Sequence, residues 1–200
     1  MSAWANGIRY QTDRTITDPT FRAIDVPFVT RLVLRAFTGD AEFQLIDSYI
    51  AAAQDLYEEE TNSSLWPQTR TLTASGFPCG PFELPFGPVS AVSSVAYYDS
   101  DVVTAYGGSP PSWRFVPTGL HGPATLEPGI NEIWPSADVR VDAVTITYSA
   151  GYSDPEDVPA RIKTGLALVA GELYKNPDLS NDMAQVGNLL KLDHFWRKRY

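Results

Sequence analysis

Thirteen of the sixteen prolines in this 200-residue chain fall between Pro67 and Pro159, both ends included. Proline removes a backbone donor and clashes with the preceding helical turn, so the segment reads as turn-rich with short strands. The flanks are nearly free of proline and carry apolar residues at helical spacing. This shift divides the chain into helix-forming ends around a strand-forming middle.

The strongest helical signal comes just before the proline-rich segment. Phe43, Ile46, Ile50, Ala53 and Tyr57 recur at spacings of 3, 4, 3 and 4. Leu45, Tyr49, Ala52 and Leu56 form a second stripe beside them, and together the stripes take up about half the circumference. Gln44, Asp47, Ser48, Gln54, Asp55, Glu58 and Glu59 fill the other half, the expected solvated face. An apolar face this wide packs against more than one partner. Asp40 is the expected N-cap, and Thr61-Asn62 the end. A shorter helix is expected from Pro27 to Phe37, with Pro27 at the first helical position. After the acidic turn Asp154 to Asp157, Pro159 opens a second long helix. Its stripe is Ile162, Leu166, Val169 and Leu173, and Asn176-Pro177 stops it. One more short helix is expected from Met183 to Leu192.

Between these helices the period changes to two. Thr69, Thr71 and Thr73 alternate with Arg70, Leu72 and Ala74, as in a half-buried strand. Phe82-Glu83-Leu84 sits between prolines and suits an edge strand. Val89 to Tyr98 is β-branched and aromatic. Val89, Val92 and Val95 also fit a three-residue spacing there, so a bulged strand is expected. Trp113 to Val116 and Val141 to Tyr148 complete the set.

The expected fold class is α+β: a small α-helical bundle with a β-rich insertion between the early and late helices. The boundaries are an N-terminal arm at 1–26, bundle segments at 27–66 and 158–192, the insertion at 67–157, and a terminal tail at 193–200. Met1 to Tyr10 has no basic stretch leading into an apolar run, so a signal peptide is not expected. No apolar run has bilayer length, so no membrane partner is expected.

Charge and motifs exclude several classes of function. Fifteen basic against 24 acidic residues give a net charge of −9, unlike a protein that coats nucleic-acid phosphates. Cys79 is the single cysteine, so no disulfide framework forms. It lies in a Phe-Pro-Cys-Gly-Pro loop with no basic neighbour to activate a thiolate. His121 and His194 stand in no nucleophile frame. Asp154, Glu156 and Asp157 read better as an acidic turn before a helix N-terminus than as metal ligands. Gly107-Gly108 lacks the rest of any phosphate-binding fingerprint. No catalytic residue, metal site or cofactor is therefore expected, and the chain is read as no enzyme. Glu58-Glu59-Glu60 is the one cluster that a glycoside-type hydrolase would need. Trp66, Trp113 and Trp134 are the residues that a carbohydrate-binding β-module would use. The end of the chain runs against its acidic trend: Phe195, Trp196, Arg197, Lys198, Arg199 and Tyr200 combine aromatic anchors with positive charge, as docking peptides do.

From Asp40 to Tyr174 the chain resembles the head–tail connector (adaptor) proteins of long-tailed phages and gene transfer agents. The resemblance is carried by Leu45 to Ala53 with Tyr57-Glu58-Glu59-Glu60-Thr61, and by Leu65-Trp66-Pro67-Gln68-Thr69-Arg70-Thr71-Leu72 running to Phe77-Pro78. It continues through Glu83-Leu84-Pro85-Phe86-Gly87-Pro88-Val89 to Asp99, then Ala143 to Tyr152, Val158 to Lys163 and Leu173-Tyr174-Lys175-Asn176. The order and spacing of these pieces span about two-thirds of the chain. The resemblance implies a ring, usually twelve-fold, that sits beneath the portal protein, extends the DNA channel and joins a neck stopper or tail-terminator protein. DNA passes through such a ring without specific binding. The resemblance also implies portal docking through the terminal segment, which gives Phe195 to Tyr200 a partner. Another neck component, such as a stopper, is the nearest alternative. The implied location is the neck of a virion or virion-like particle made in a bacterial cytoplasm.

Overall fold

The computed structural model describes residues 2–5, 8–34, 39–107, 112–117 and 124–176. These form an α+β structure of two compact units. The first unit takes residues 1–19 and 67–151. The second takes residues 20–66 and the chain from Tyr152 onward.

The first unit is all β. Its larger sheet has six antiparallel strands in the order β1-β2-β3-β9-β5-β6. They are β1 (Ser2–Ala5), β2 (Ile8–Ile16), β3 (Gln68–Ala74), β5 (Val89–Asp99), β6 (Val102–Ala105) and β9 (Val144–Ala150). A three-stranded sheet, β4-β8-β7, is built from β4 (Phe82–Leu84), β7 (Trp113–Pro117) and β8 (Ala124–Pro128). Both sheets feed one core, with Leu72, Ile146 and Tyr148 from the larger and Phe82, Leu84 and Leu126 from the smaller.

Alternation sets which residues face that core. On β3, Gln68, Arg70, Leu72 and Ala74 are buried while the threonines between them are half-buried. On β9, Val144, Ile146, Tyr148 and Ala150 are buried. The three-residue valine spacing on β5 has a direct cause. Val89, Val92 and Val95 oppose Ala150, Tyr148 and Ile146, with register shifts between Val89 and Ala91 and between Val92 and Ser94. Each bulge adds one residue to β5, so inward positions fall every third residue against every second on β9.

Within residues 1–26, expected as an N-terminal arm, Ser2–Ala5 and Ile8–Ile16 are strands. Ile8–Ile16 pairs along its whole length with β3, from Tyr10 opposite Ala74 to Ile16 opposite Gln68. Too few apolar residues alternate in β2 to announce a strand, and its partner lies more than fifty residues downstream. β6 and β8, of 4 and 5 residues, are additional to the strands expected from the sequence. β9 starts at Val144 rather than Val141.

The second unit holds the helices. α1 (Val26–Val29) continues into a π-helical turn at Thr30–Leu34. The Asp25 carboxylate caps α1 by accepting the Phe28 N–H at 2.8 Å, which moves the start one residue ahead of Pro27. α2 (Asp40–Thr61) is the long helix. Its N-cap is Gly39, and Asp40 belongs to the first turn beside Glu42, where the helix dipole favours both charges. Asn62 ends α2 in the left-handed region, at φ 49°, a conformation asparagine tolerates. A 3-10 turn at Pro155–Asp157, capped by Asp154, leads to α3 (Ala160–Lys175). α2 and α3 pack together, and α1 touches both. Ile162, Leu166, Val169 and Leu173 are buried, as their spacing requires. Among the described residues no helix is long and apolar enough to cross a membrane. The short helix expected from Met183 to Leu192 lies outside the described residues.

Candidate interaction surfaces

The two stripes of α2 have different fates. Ile46, Ile50, Ala53 and Tyr57 are buried, whereas Leu45 is 45% exposed and Tyr49, Ala52 and Leu56 stay half-buried. Phe43 heads the first stripe, yet at the helix start it is exposed. Two residues expected on the solvated side are buried instead. Gln54 Oε1 accepts the Ala23 N–H at 2.8 Å. Glu58 accepts the N–H groups of Leu65 and Trp66, the latter at 3.0 Å. Both side chains satisfy backbone donors of segments that cross α2 without secondary structure of their own, and a buried donor must find an acceptor. Asp47 holds Arg22 through a two-pronged contact of 3.1 and 3.0 Å, and Arg22 also lies over the Trp66 ring.

The second stripe, Leu45, Tyr49, Ala52 and Leu56, thus forms an apolar seam that the described residues cover only in part, with Glu59 beside it. α3 has a matching outer strip. Arg161, Leu168 and Lys175 are exposed and seven residues apart, which puts them on one line of the helix. Leu168 is its apolar centre, and the two ends are positive.

The β unit exposes a different surface. Residues 129–143 link β8 to β9 without regular structure, a length at which loops are usually functional. The loop is firmly pinned. Trp134 stacks on Phe77 with ring centres 4.8 Å apart, and its indole N–H donates to the Gly80 carbonyl at 2.8 Å. The Asp138 carboxylate accepts the N–H groups of Ser100 and Asp101 at 3.1 and 2.8 Å. Those two residues make the left-handed turn between β5 and β6. Arg140 grips Asp142 through two bonds of 2.6 and 2.9 Å and lies 3.6 Å from the centre of the Tyr98 ring. That grip holds the Asp142 carboxyl below its ordinary range. Along the same loop Ile130, Ile133, Val139 and Val141 are 82, 86, 105 and 74% exposed. Nothing in the sequence separated them from core residues, because no periodicity runs through them.

The other residues singled out from the sequence are scattered. Cys79 is exposed and free. Of the three glutamates, Glu58 is consumed by backbone contacts, and Glu59 and Glu60 are exposed. Trp66 is buried in the helical unit, while Trp113 and Trp134 are half-buried in the β unit. Asp154 caps the 3-10 turn by accepting the Glu156 N–H at 2.8 Å. Among the described residues no group of three or more His, Cys, Asp or Glu side chains could hold a metal ion. His121, His194 and the segment Phe195 to Tyr200 lie outside the described residues.

No family model matches the chain, and no curated protein does. Solved structures do resemble it. One is from the neck of an empty gene transfer agent (GTA) particle computed with C6 symmetry, at TM-score 0.69 and 22% identity, covering 95% of this chain and 97% of that one. A second is from the virion of a native gene transfer agent particle, at TM-score 0.64 and 21% identity, covering 94 and 96%. A third is from the neck of a native GTA particle computed with C12 symmetry, at TM-score 0.63 and 20% identity, covering 95 and 97%. At these identities the likeness establishes a shared fold.

Proposed function

We propose that this chain is a structural component of the neck of a phage-like particle: an adaptor that forms a ring under the portal protein, extends the DNA channel and joins the head to a stopper or tail-terminator protein. The observation that carries the reading is the fold likeness, which runs through nearly the whole of both chains for structures taken from particle necks and a virion. The residue stretches that resemble the connector family point the same way. In this reading the helices of the second unit are the bundle, and the strands between them are the insertion.

The physical properties suit the role. A conduit for moving DNA must not hold phosphate, and a subunit of net charge −9 repels it. Two neighbour structures come from necks computed with C6 and C12 symmetry. A cyclic ring needs two different complementary faces on each subunit, and the outer sides of α2 and α3 offer two different surfaces. Portal docking falls to Phe195, Trp196, Arg197, Lys198, Arg199 and Tyr200, in which aromatic anchors and positive charge combine. No cofactor and no catalysis enter into this function.

Electron microscopy of particles from cells in which this gene is stopped tests the reading. Heads without tails, rescued when the protein is added back, are the expected result. Normal tailed particles would overturn it.

A further inference from the structure

We propose that the outer seam of α2, Leu45, Tyr49, Ala52 and Leu56, docks on the Arg161–Leu168–Lys175 strip of α3 in a second copy of this chain. Repeated from copy to copy, this contact closes the ring. The inference rests on the neck-ring reading and specifies which surfaces meet.

The spacing is the first argument. Leu45, Tyr49, Ala52 and Leu56 follow one another at 4, 3 and 4 residues, the interval at which side chains of one helix line up against another helix. The same helix already buries Ile46, Ile50, Ala53 and Tyr57 in its own unit, whereas among the described residues Leu45 stays exposed and Tyr49, Ala52 and Leu56 are only half-covered.

Charge chooses the occupant. The Glu59 carboxylates of two copies are exposed at the edge of the seam. An α2 seam laid on the α2 seam of another copy would bring these carboxylates together, and like charges in contact are unfavourable. The α3 strip offers a contrasting pattern: the exposed Leu168 lies between Arg161 and Lys175, and the half-buried Glu172 beside it accepts the Asn176 side-chain amide. A seam edged with negative charge thus meets an apolar centre edged with positive charge. The two patches differ, so the contact is heterologous, and heterologous contacts form rings when the rotation closes.

The test uses assembled particles. Leu56→Cys and Leu168→Cys are combined in a Cys79→Ser background, with each single cysteine as control, and the particles are oxidised. A ladder of cross-linked multimers in the double variant, absent from both controls, is the expected result. Particles that contain the protein but give no ladder would overturn the contact and leave the neck reading standing. Particles from which the unaltered protein is absent would overturn the neck reading, and the contact with it. If the Leu56→Cys thiol reacts with maleimide only after residues 177–200 are removed, the chain's own end covers the seam, and the proposal fails. A charge exchange gives a second readout. Glu59→Lys should cause loss of the protein from particles, and adding Arg161→Glu and Lys175→Glu should restore it. Failure of the exchange to restore it would rule out the charge pairing that selects this partner.

Discussion

The Glu58 carboxylate, on the last turn of α2, accepts the backbone N–H of Trp66 at 3.0 Å and that of Leu65 through the same oxygen. Glu58 is only 3% exposed, so these donors have no water to fall back on. Glu58→Ala should lower unfolding free energy by about 3 kcal/mol, because charge-assisted bonds vanish and buried donors are left unmade. Glu58→Gln keeps a neutral acceptor and should cost about 1 kcal/mol. Urea unfolding of the three proteins measures both differences. Equal stabilities would show that the carboxylate does not hold this segment.

The two stripes of α2 should respond oppositely to the same chemistry. Ile50→Asp places a carboxylate at a site with no exposure and should prevent folding, at a cost of several kcal/mol. Leu45→Asp falls on the exposed seam and should change stability by less than about 0.5 kcal/mol. Circular dichroism and thermal melts separate the outcomes. A well-folded Ile50→Asp protein would mean that the inner stripe has been misassigned.

Gly171 permits the close approach of α3 to the π-helical turn. A Cβ at that position would run into Val33 Cγ1, well inside van der Waals contact, and valine has little rotamer freedom with which to retreat. Gly171→Ala should therefore destabilise by about 1–3 kcal/mol despite alanine's better helix propensity. Val33→Ala in the same chain should recover part of the loss. A stabilised Gly171→Ala protein would show that Val33 moves freely.

Alkaline pH should unfold the chain cooperatively. Burial raises Tyr57, Tyr148 and Tyr152 above the ordinary phenol range, and the Tyr148 hydroxyl also donates to the Pro85 carbonyl at 2.8 Å. The folded state keeps these protons, whereas the unfolded state releases them at about pH 10. Above that pH the unfolded chain binds fewer protons, so stability is intact below it and falls as pH rises. Phenolate absorbance of the buried tyrosines should thus appear together with loss of far-ultraviolet dichroism. Complete tyrosine ionisation in a chain that keeps its dichroism would contradict their burial.

Deleting Phe195 to Tyr200 should leave the melting temperature of the purified protein unchanged and reduce its incorporation into particles. Quantitative immunoblotting of purified particles measures the loss. Unchanged incorporation would remove this segment from the docking role.

The sequence revealed much of the architecture where a residue's neighbours are close in the chain. The stripes of α2 and α3, the alternation in β3 and β9 and the edge position of β4 were all legible, because helix and strand periods are local properties. The valines of β5 were legible as a bulged strand, although only the pairing with β9 shows that two bulges produce their spacing. The candidate surfaces were less legible. The α2 seam was visible as apolar, but its exposure was not. The loop residues Ile130, Ile133, Val139 and Val141 follow no period, and their exposure shows only in the folded loop, where Trp134, Asp138 and Arg140 are the residues that make contacts.

What the sequence alone determined is therefore the set of elements: where helices and strands form, where prolines forbid helix, and which side chains are apolar. Tertiary structure decided which of those elements meet. It recruited Ile8–Ile16 to β3, turned Gln54 and Glu58 inward to satisfy distant backbone donors, and buried one of the two apolar stripes of α2 more fully than the other. The reason is the same in each case. Periodicity reports the shape of one segment, whereas burial depends on what another segment, far away in the chain, brings against it.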